Sequence, residues 1–249
     1  MSYPLNYKVE MKLDMIWKRG GCLLVALILI PQFIYSGEKS AYNAYVEGSV
    51  WEITCVIDDR LHEVRDEKYY FDGTRVLNGH TYLDMYSTGS LWNTKGEELD
   101  SSFSSVRPEE PIYQGAVRTE DGKVYFVPPN YEKEFLLFDF NLQESEETEV
   151  YPFLHPYENG EPDPVRIRCV RSTEFIVGND VVKILEVGDM RYQSDVWLNT
   201  WICGLGSSVG PLENLYAWYC GRSGTVNRIT VNGKEVYRYS PVEYKHLMK

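Results

Sequence analysis

Histidine is scarce in this chain, with 4 among 249 residues, and His62, His80, His155 and His246 stand at no spacing that metal ligation or a proton relay requires. Cys-x-x-Cys does not occur, which removes the common zinc and dithiol redox motifs. Basic residues are few and dispersed: 25 Lys and Arg stand against 37 Asp and Glu, a formal charge of −12. Phosphate backbones are held by clustered cations, so nucleic acid is not an expected partner, and an anionic lipid surface would repel the chain. Long apolar runs are also lacking. Cys22 to Ile30 gives nine consecutive apolar residues, well short of the roughly 20 that a membrane-spanning helix needs. No Gly/Ser-rich or Pro-rich linker divides the sequence, and no stretch carries a sustained helical period.

What the N-terminus does carry is an export pattern. Lys18 and Arg19 precede the apolar run, and Pro31, Ser36 and Gly37 follow it, which predicts a signal peptide over 1–36 and a single β-rich domain over 37–249. Cys22 heads the run instead of following it, so it is not placed to accept a lipid. Loss of the first 36 residues removes four basic and two acidic side chains and leaves 21 positive against 35 negative, a formal charge of −14. The expected destination is the periplasm, the cell surface or the exterior, with no transmembrane segment in the mature chain. Four cysteines remain there: Cys55, Cys169, Cys203 and Cys220. In an oxidising compartment three pairings are open to them. Cys203 with Cys220, flanking a glycine-rich turn, and Cys55 with Cys169 are the favoured disulfide candidates; buried thiols are the alternative.

Period-two alternation dominates the mature chain. Trp51, Ile53, Cys55 and Ile57 alternate with more polar neighbours, as do Val165, Ile167 and Cys169, the signature of half-buried strands. Asp72-Gly73, Asn78-Gly79, Asp121-Gly122, Gly178-Asn179 and Asn232-Gly233 supply the positive backbone angles that tight hairpins need. Arg118 to Val127 and Asn227 to Tyr239 read as such hairpins. About ten short strands without intervening helices predict an all-β antiparallel meander, curled into a barrel or half-barrel, with a two-sheet sandwich as the alternative. Ser87 to Pro111 and Gln143 to Pro164 read as long surface loops; the carboxylates of the second follow no calcium-loop spacing, so no metal or other cofactor is expected.

The order of several segments is similar to that of a known group of proteins. Val50-Trp-Glu, Tyr70-Phe-Asp-Gly-Thr-Arg-Val-Leu-Asn-Gly-His-Thr-Tyr82, Gly115 to Tyr125, Phe135-Leu-Leu-Phe-Asp-Phe140, Trp197-Leu-Asn-Thr-Trp-Ile-Cys-Gly-Leu-Gly-Ser-Ser-Val-Gly210 and Asn232-Gly-Lys-Glu-Val-Tyr237 occur in sequence. In this the chain resembles the uncharacterised exported β-rich proteins of Bacteroidetes. The resemblance implies an extracytoplasmic single-domain β-protein and no particular reaction.

Candidate chemistry is thin. Gly206-Ser-Ser208-Val-Gly210 fits the Gly-x-Ser-x-Gly elbow of serine hydrolases, but Pro211 follows at once and no acid–histidine pair completes a triad. Asp139 and Glu186 are carboxylates that a glycosidase would need side by side. The aromatic content, 14% of the chain, is the stronger hint: Trp197, Trp201 and Trp218 cluster around the glycine-rich segment, where they either form an exposed ligand-binding platform or fill the core. The reading is a non-catalytic exported domain binding an unknown small molecule, glycan or protein. A structural surface-interaction role and a hydrolase acting on glycans are the alternatives.

Overall fold

The structure is a computed structural model and describes residues 43–58, 63–93, 110–152, 163–177, 180–191, 198–215 and 223–239, all within the compact unit Gly37–Lys249. The expected signal peptide and the Gly178-Asn179 turn lie outside the described residues. Among those described, there is no helix. The strands are β1 (Ser49–Asp58), β2 (Glu63–Leu77), β3 (His80–Asn93), β4 (Ile112–Glu120), β5 (Lys123–Val127), β6 (Phe135–Asp139), β7 (Glu147–Val150), β8 (Val165–Val177), β9 (Asp180–Asp189), β10 (Leu198–Ile202), β11 (Gly206–Ser207), β12 (Ser223–Val231) and β13 (Lys234–Arg238).

They form two antiparallel sheets, each curled as a half-barrel, as the alternation predicts. The larger has the order β13-β12-β1-β2-β3-β4-β5-β6 and the smaller β11-β10-β9-β8-β7. Nearly every pairing joins consecutive strands, so the chain is a meander. The exception is β1 with β12, which brings the C-terminal hairpin beside the first strand.

Local chemistry sets the hairpins. Asn78-Gly79, Asp121-Gly122 and Asn232-Gly233 each adopt two successive positive φ angles, between 47° and 81°, which suits the right-handed twist of the strands they join. Asp72-Gly73 is different. It is a bulge inside β2, where the register with β3 slips between Phe71 and Thr74, and β2 runs on as one strand of 15 residues. A second departure is β7, which lies in the segment expected to be loop. Its Glu147 carboxylate pairs with Arg166 and Arg168 across β8, so complementary charge supports a strand whose acidic composition argues against one.

Alternate side chains face a shared core. Trp51, Ile53 and Cys55 from β1, Tyr69 and Phe71 from β2 and Met85 from β3 join Ile167, Cys169, Leu185, Val187 and Trp201 of the smaller sheet in one buried cluster. Aromatic contacts knit it together: Phe138 of the larger sheet meets Trp201 of the smaller edge-on at 5.1 Å, and within the larger sheet Trp51 meets Phe71 at 5.7 Å. Main-chain bonds also link the two sheets at both margins. The Tyr151 N–H donates to the Leu136 carbonyl (2.9 Å) beside β6, and the Val226 N–H donates to the Ser208 carbonyl (2.9 Å) beside β12.

A candidate ligand-binding face

The glycine-rich segment is a structural joint. Trp201 is fully buried, and its indole N–H donates to the Asn214 carbonyl at 2.7 Å. The Asn214 side-chain amide in turn donates to the carbonyls of Leu137 (2.7 Å) and Tyr151 (3.0 Å). Trp51 donates to the Leu205 carbonyl (2.8 Å), and the Tyr45 hydroxyl to that of Pro211 (2.8 Å). Gly206 sits at φ +106°, and a Cβ there would lie 3.0 Å from both the Gly210 oxygen and the Tyr45 hydroxyl, which is why glycine is needed. Trp201 is thus a core residue, and the ligand platform considered for it is corrected: the indole has no exposed face. Trp197 and Trp218 lie outside the described residues.

The serine that matters is Ser207, not Ser208. Its hydroxyl oxygen accepts from the N–H groups of Val209 (3.2 Å) and Gly210 (3.1 Å), and its O–H lies against the Glu213 carbonyl (2.5 Å). Ser208 works through its backbone: its N–H bonds Thr200 and its carbonyl accepts from Val226. Asp139 and Glu186 occupy different sheets and hold different cations, Lys123 at 3.2 Å and Arg171 at 3.5 Å. Among the described residues, no group of His, Cys, Asp or Glu side chains is arranged to hold a metal ion. His80 is exposed; the other three histidines lie outside the described residues.

The expected disulfides are also corrected. Cys55, Cys169 and Cys203 are buried thiols, and no bridge joins Cys55 to Cys169, which stand on β1 and β8 of different sheets. Cys203 points its Sγ to the Phe140 carbonyl at 3.7 Å; Cys220 lies outside the described residues. Burial pushes the Cys203 thiol up to about 12 and raises Cys169, with the Lys183 ammonium opposing the shift at both. Lys183 itself donates to the carbonyls of Leu142 (2.8 Å) and Phe140 (3.3 Å).

The outward face of the larger sheet carries an open cleft of about 420 Å³ lined by Glu52, Thr54, Asp66, Lys68, Thr88 and Asn227. Register explains the grouping. Glu52 stands opposite Lys68, Thr54 opposite Asp66 and Lys68 opposite Thr88, so period two turns all of them the same way. Asn227 joins them through the slip in pairing between β1 and β12 at Glu52/Ile53. The Asn227 amide donates to the Thr54 hydroxyl (2.7 Å), and that hydroxyl donates to the Asp66 carboxylate (2.5 Å). The hydrogen bonds from Arg228 hold the Glu52 carboxyl below its ordinary range, with Lys68 3.9 Å away on the other side.

Along the same face runs a ladder of tyrosines. Tyr70 and Tyr86, directly opposite across β2 and β3, have nearly parallel rings 6.1 Å apart, and Tyr113 of β4 follows 5.4 Å from Tyr86. All three are half-buried. The Arg75 guanidinium lies over Tyr113 at 4.6 Å and bonds Asp84. Desolvation pushes the Tyr113 hydroxyl up to about 12 and raises Tyr70. Farther along, Arg118 grips Glu134 with two bonds of 2.6 and 2.7 Å while stacking on Tyr125 at 4.2 Å. The face is polar at the cleft and aromatic beside it, which is the composition that orients and holds a ligand.

No protein-family model, curated protein or solved structure matches this chain. Function therefore has to be argued from the face itself.

Proposed function

We propose that the protein is an exported, non-catalytic binding domain whose ligand seats on the outward face of the larger sheet. The observation that carries this is the juxtaposition, on one face, of a 420 Å³ cleft lined by hydrogen-bonding side chains with the half-buried Tyr70–Tyr86–Tyr113 ladder. The cleft volume falls in the range of small-molecule sites, and both halves stand on paired strands, so they are preorganised. Export rests on the charged and apolar pattern before Gly37. A hydrolytic role draws little from the cleft: a general acid needs a raised carboxyl pKa, and Arg228 drives that of Glu52 the other way. The test is a nuclear magnetic resonance titration of the labelled protein with a fragment library of polyols, amines and carboxylic acids. The amide signals of Thr54, Lys68, Thr88 and Asn227 are expected to shift together. Shifts gathered on another surface, or none with any fragment, would remove the reading.

A further inference from the structure

We infer that the ligand of this face is a neutral glycan, its hydroxyls in the cleft and a ring face against the tyrosine ladder. The inference rests on the binding reading above and adds the chemical class. Charge comes first. The lining carries three carboxylates, Glu52, Asp66 and Glu67, against one cation, Lys68, with Arg228 bound to Glu52 beside the cleft, so the site shares the acidic sign of the whole domain. Glu67, which also borders the cleft, lies opposite Ile53 on the inward set and is buried, with the Tyr69 hydroxyl donating to it at 3.0 Å. A lining with more carboxylates than cations disfavours anionic ligands, as does the field of the whole domain.

Hydrogen-bonding type comes second. Glu52 and Asp66 offer carboxylate acceptors, Lys68 and Asn227 offer N–H donors, and Thr54 and Thr88 offer hydroxyls that serve as either. Neighbouring acceptors and donors of this kind match adjacent hydroxyls on a sugar, each of which both gives and takes a hydrogen bond. Lys68 keeps 62% of its side chain exposed, so its ammonium is open to solvent and within reach of a ligand in the cleft. The aromatic strip comes third. Tyr70, Tyr86 and Tyr113 carry apolar rings with polar tips, at spacings of 6.1 and 5.4 Å that are comparable to the width of a pyranose ring. Apolar ligands would need no such cleft, and an acidic peptide would meet a lining of its own sign.

The test is affinity electrophoresis of the whole protein through gels containing starch, xyloglucan, mixed-linkage β-glucan or galactomannan, with polygalacturonate, heparin and polylysine as charged probes. Retardation is expected in at least one neutral polysaccharide and in none of the charged polymers. Asp66→Asn, which keeps shape, and Tyr86→Ala are each expected to weaken it about tenfold, the scale of one lost charge-assisted or stacking contact. Migration unchanged in every neutral gel, or retardation by a charged polymer alone, overturns the glycan. If fragments still map to the cleft in that case, the class falls and the binding face stands. Retardation that neither variant alters, with near-ultraviolet circular dichroism showing both variants folded, overturns both readings together.

Discussion

Replacing Asn214 by alanine tests whether the buried amide fastens the two sheets. Asn214 is wholly buried, and its side chain donates to the carbonyl of Leu137 on β6 and to that of Tyr151 just beyond β7, at 2.7 and 3.0 Å. Beside it, among the described residues, runs a main-chain bond from the Tyr151 N–H to the Leu136 carbonyl. Asn214→Ala leaves one buried and one partly buried carbonyl without these donors, at about 1–3 kcal/mol for each orphaned group, so a loss of about 2–6 kcal/mol is expected. Against a typical total of about 5–15 kcal/mol this is a large fraction. Urea denaturation followed by tryptophan fluorescence measures it as a lower midpoint at unchanged slope. The comparison is Asn141→Ala, because Asn141 makes a similar amide-to-carbonyl bond to Asp121 at 2.6 Å but in an exposed setting. Its loss is expected to stay below about 1 kcal/mol, as at most surface sites. If the two substitutions cost the same, the amide is not what closes this margin and the reasoning fails.

Conformation and burial give three further predictions. Gly206→Ala forces a side chain onto φ +106° against the Gly210 oxygen, the Tyr45 hydroxyl and Pro211, whereas Gly79→Ala, at φ +81°, meets nothing within 4 Å. Both pay for left-handed backbone, about 1–2 kcal/mol, but the first is expected to lose at least about 1 kcal/mol more, and equal thermal shifts would refute the crowding. The Cys203 thiol, at about 12, is almost wholly un-ionised at pH 8, so iodoacetamide is expected to modify Cys169 and Cys203 in urea and neither in the native protein, by intact mass. Because folding raises these values and that of Tyr113, stability is full below the unfolded thiol pKa near 8.5 and falls as pH climbs toward 12. Cys203 alone gives a slope of about 1.4 kcal/mol per unit, and a denaturation midpoint that held steady from pH 9 to 11 would contradict it.

Much of the fold is legible where one residue decides one thing. Asn78-Gly79, Asp121-Gly122 and Asn232-Gly233 announce their hairpins because few residue pairs tolerate two positive φ angles, and the 51/53/55 and 165/167/169 alternations announce which faces are buried. Where two causes compete the sequence misleads. Asp72-Gly73 has the composition of a turn but lies in a bulge, since the strand continues on both sides and its pairing with β3 re-forms one residue out of step. Without that slip Tyr70 does not fall opposite Tyr86, so the ladder cannot be read from spacing alone. The carboxylates around Glu147 look like a solvated loop until Arg166 and Arg168 are seen across from them. Trp197, Trp201 and Trp218 cluster around the glycine-rich segment as a platform would, yet Trp201 is covered by Phe138, Phe140 and the Asn214 carbonyl, contacts that spacing does not reveal.

The glycine-rich joint and the candidate face answer to different constraints, and this governs what likeness to other chains can carry. Trp51, Trp201, Ser207, Gly206 and Asn214 are tied to specific carbonyls and close contacts, so a chain that keeps them keeps the joint between the sheets. Glu52, Thr54, Asp66, Lys68 and Thr88 point the other way, and no hydrogen bond connects them to that joint among the described residues. Exchanging an outward residue on a paired strand leaves the inward alternation untouched, which is why such faces can diverge at small cost to folding. Shared joint residues therefore argue for a shared scaffold. Shared binding has to be argued from the outward residues of β1, β2 and β3, and a chain with the same glycine-rich joint but without the tyrosine ladder is expected to fold alike and to lose the glycan.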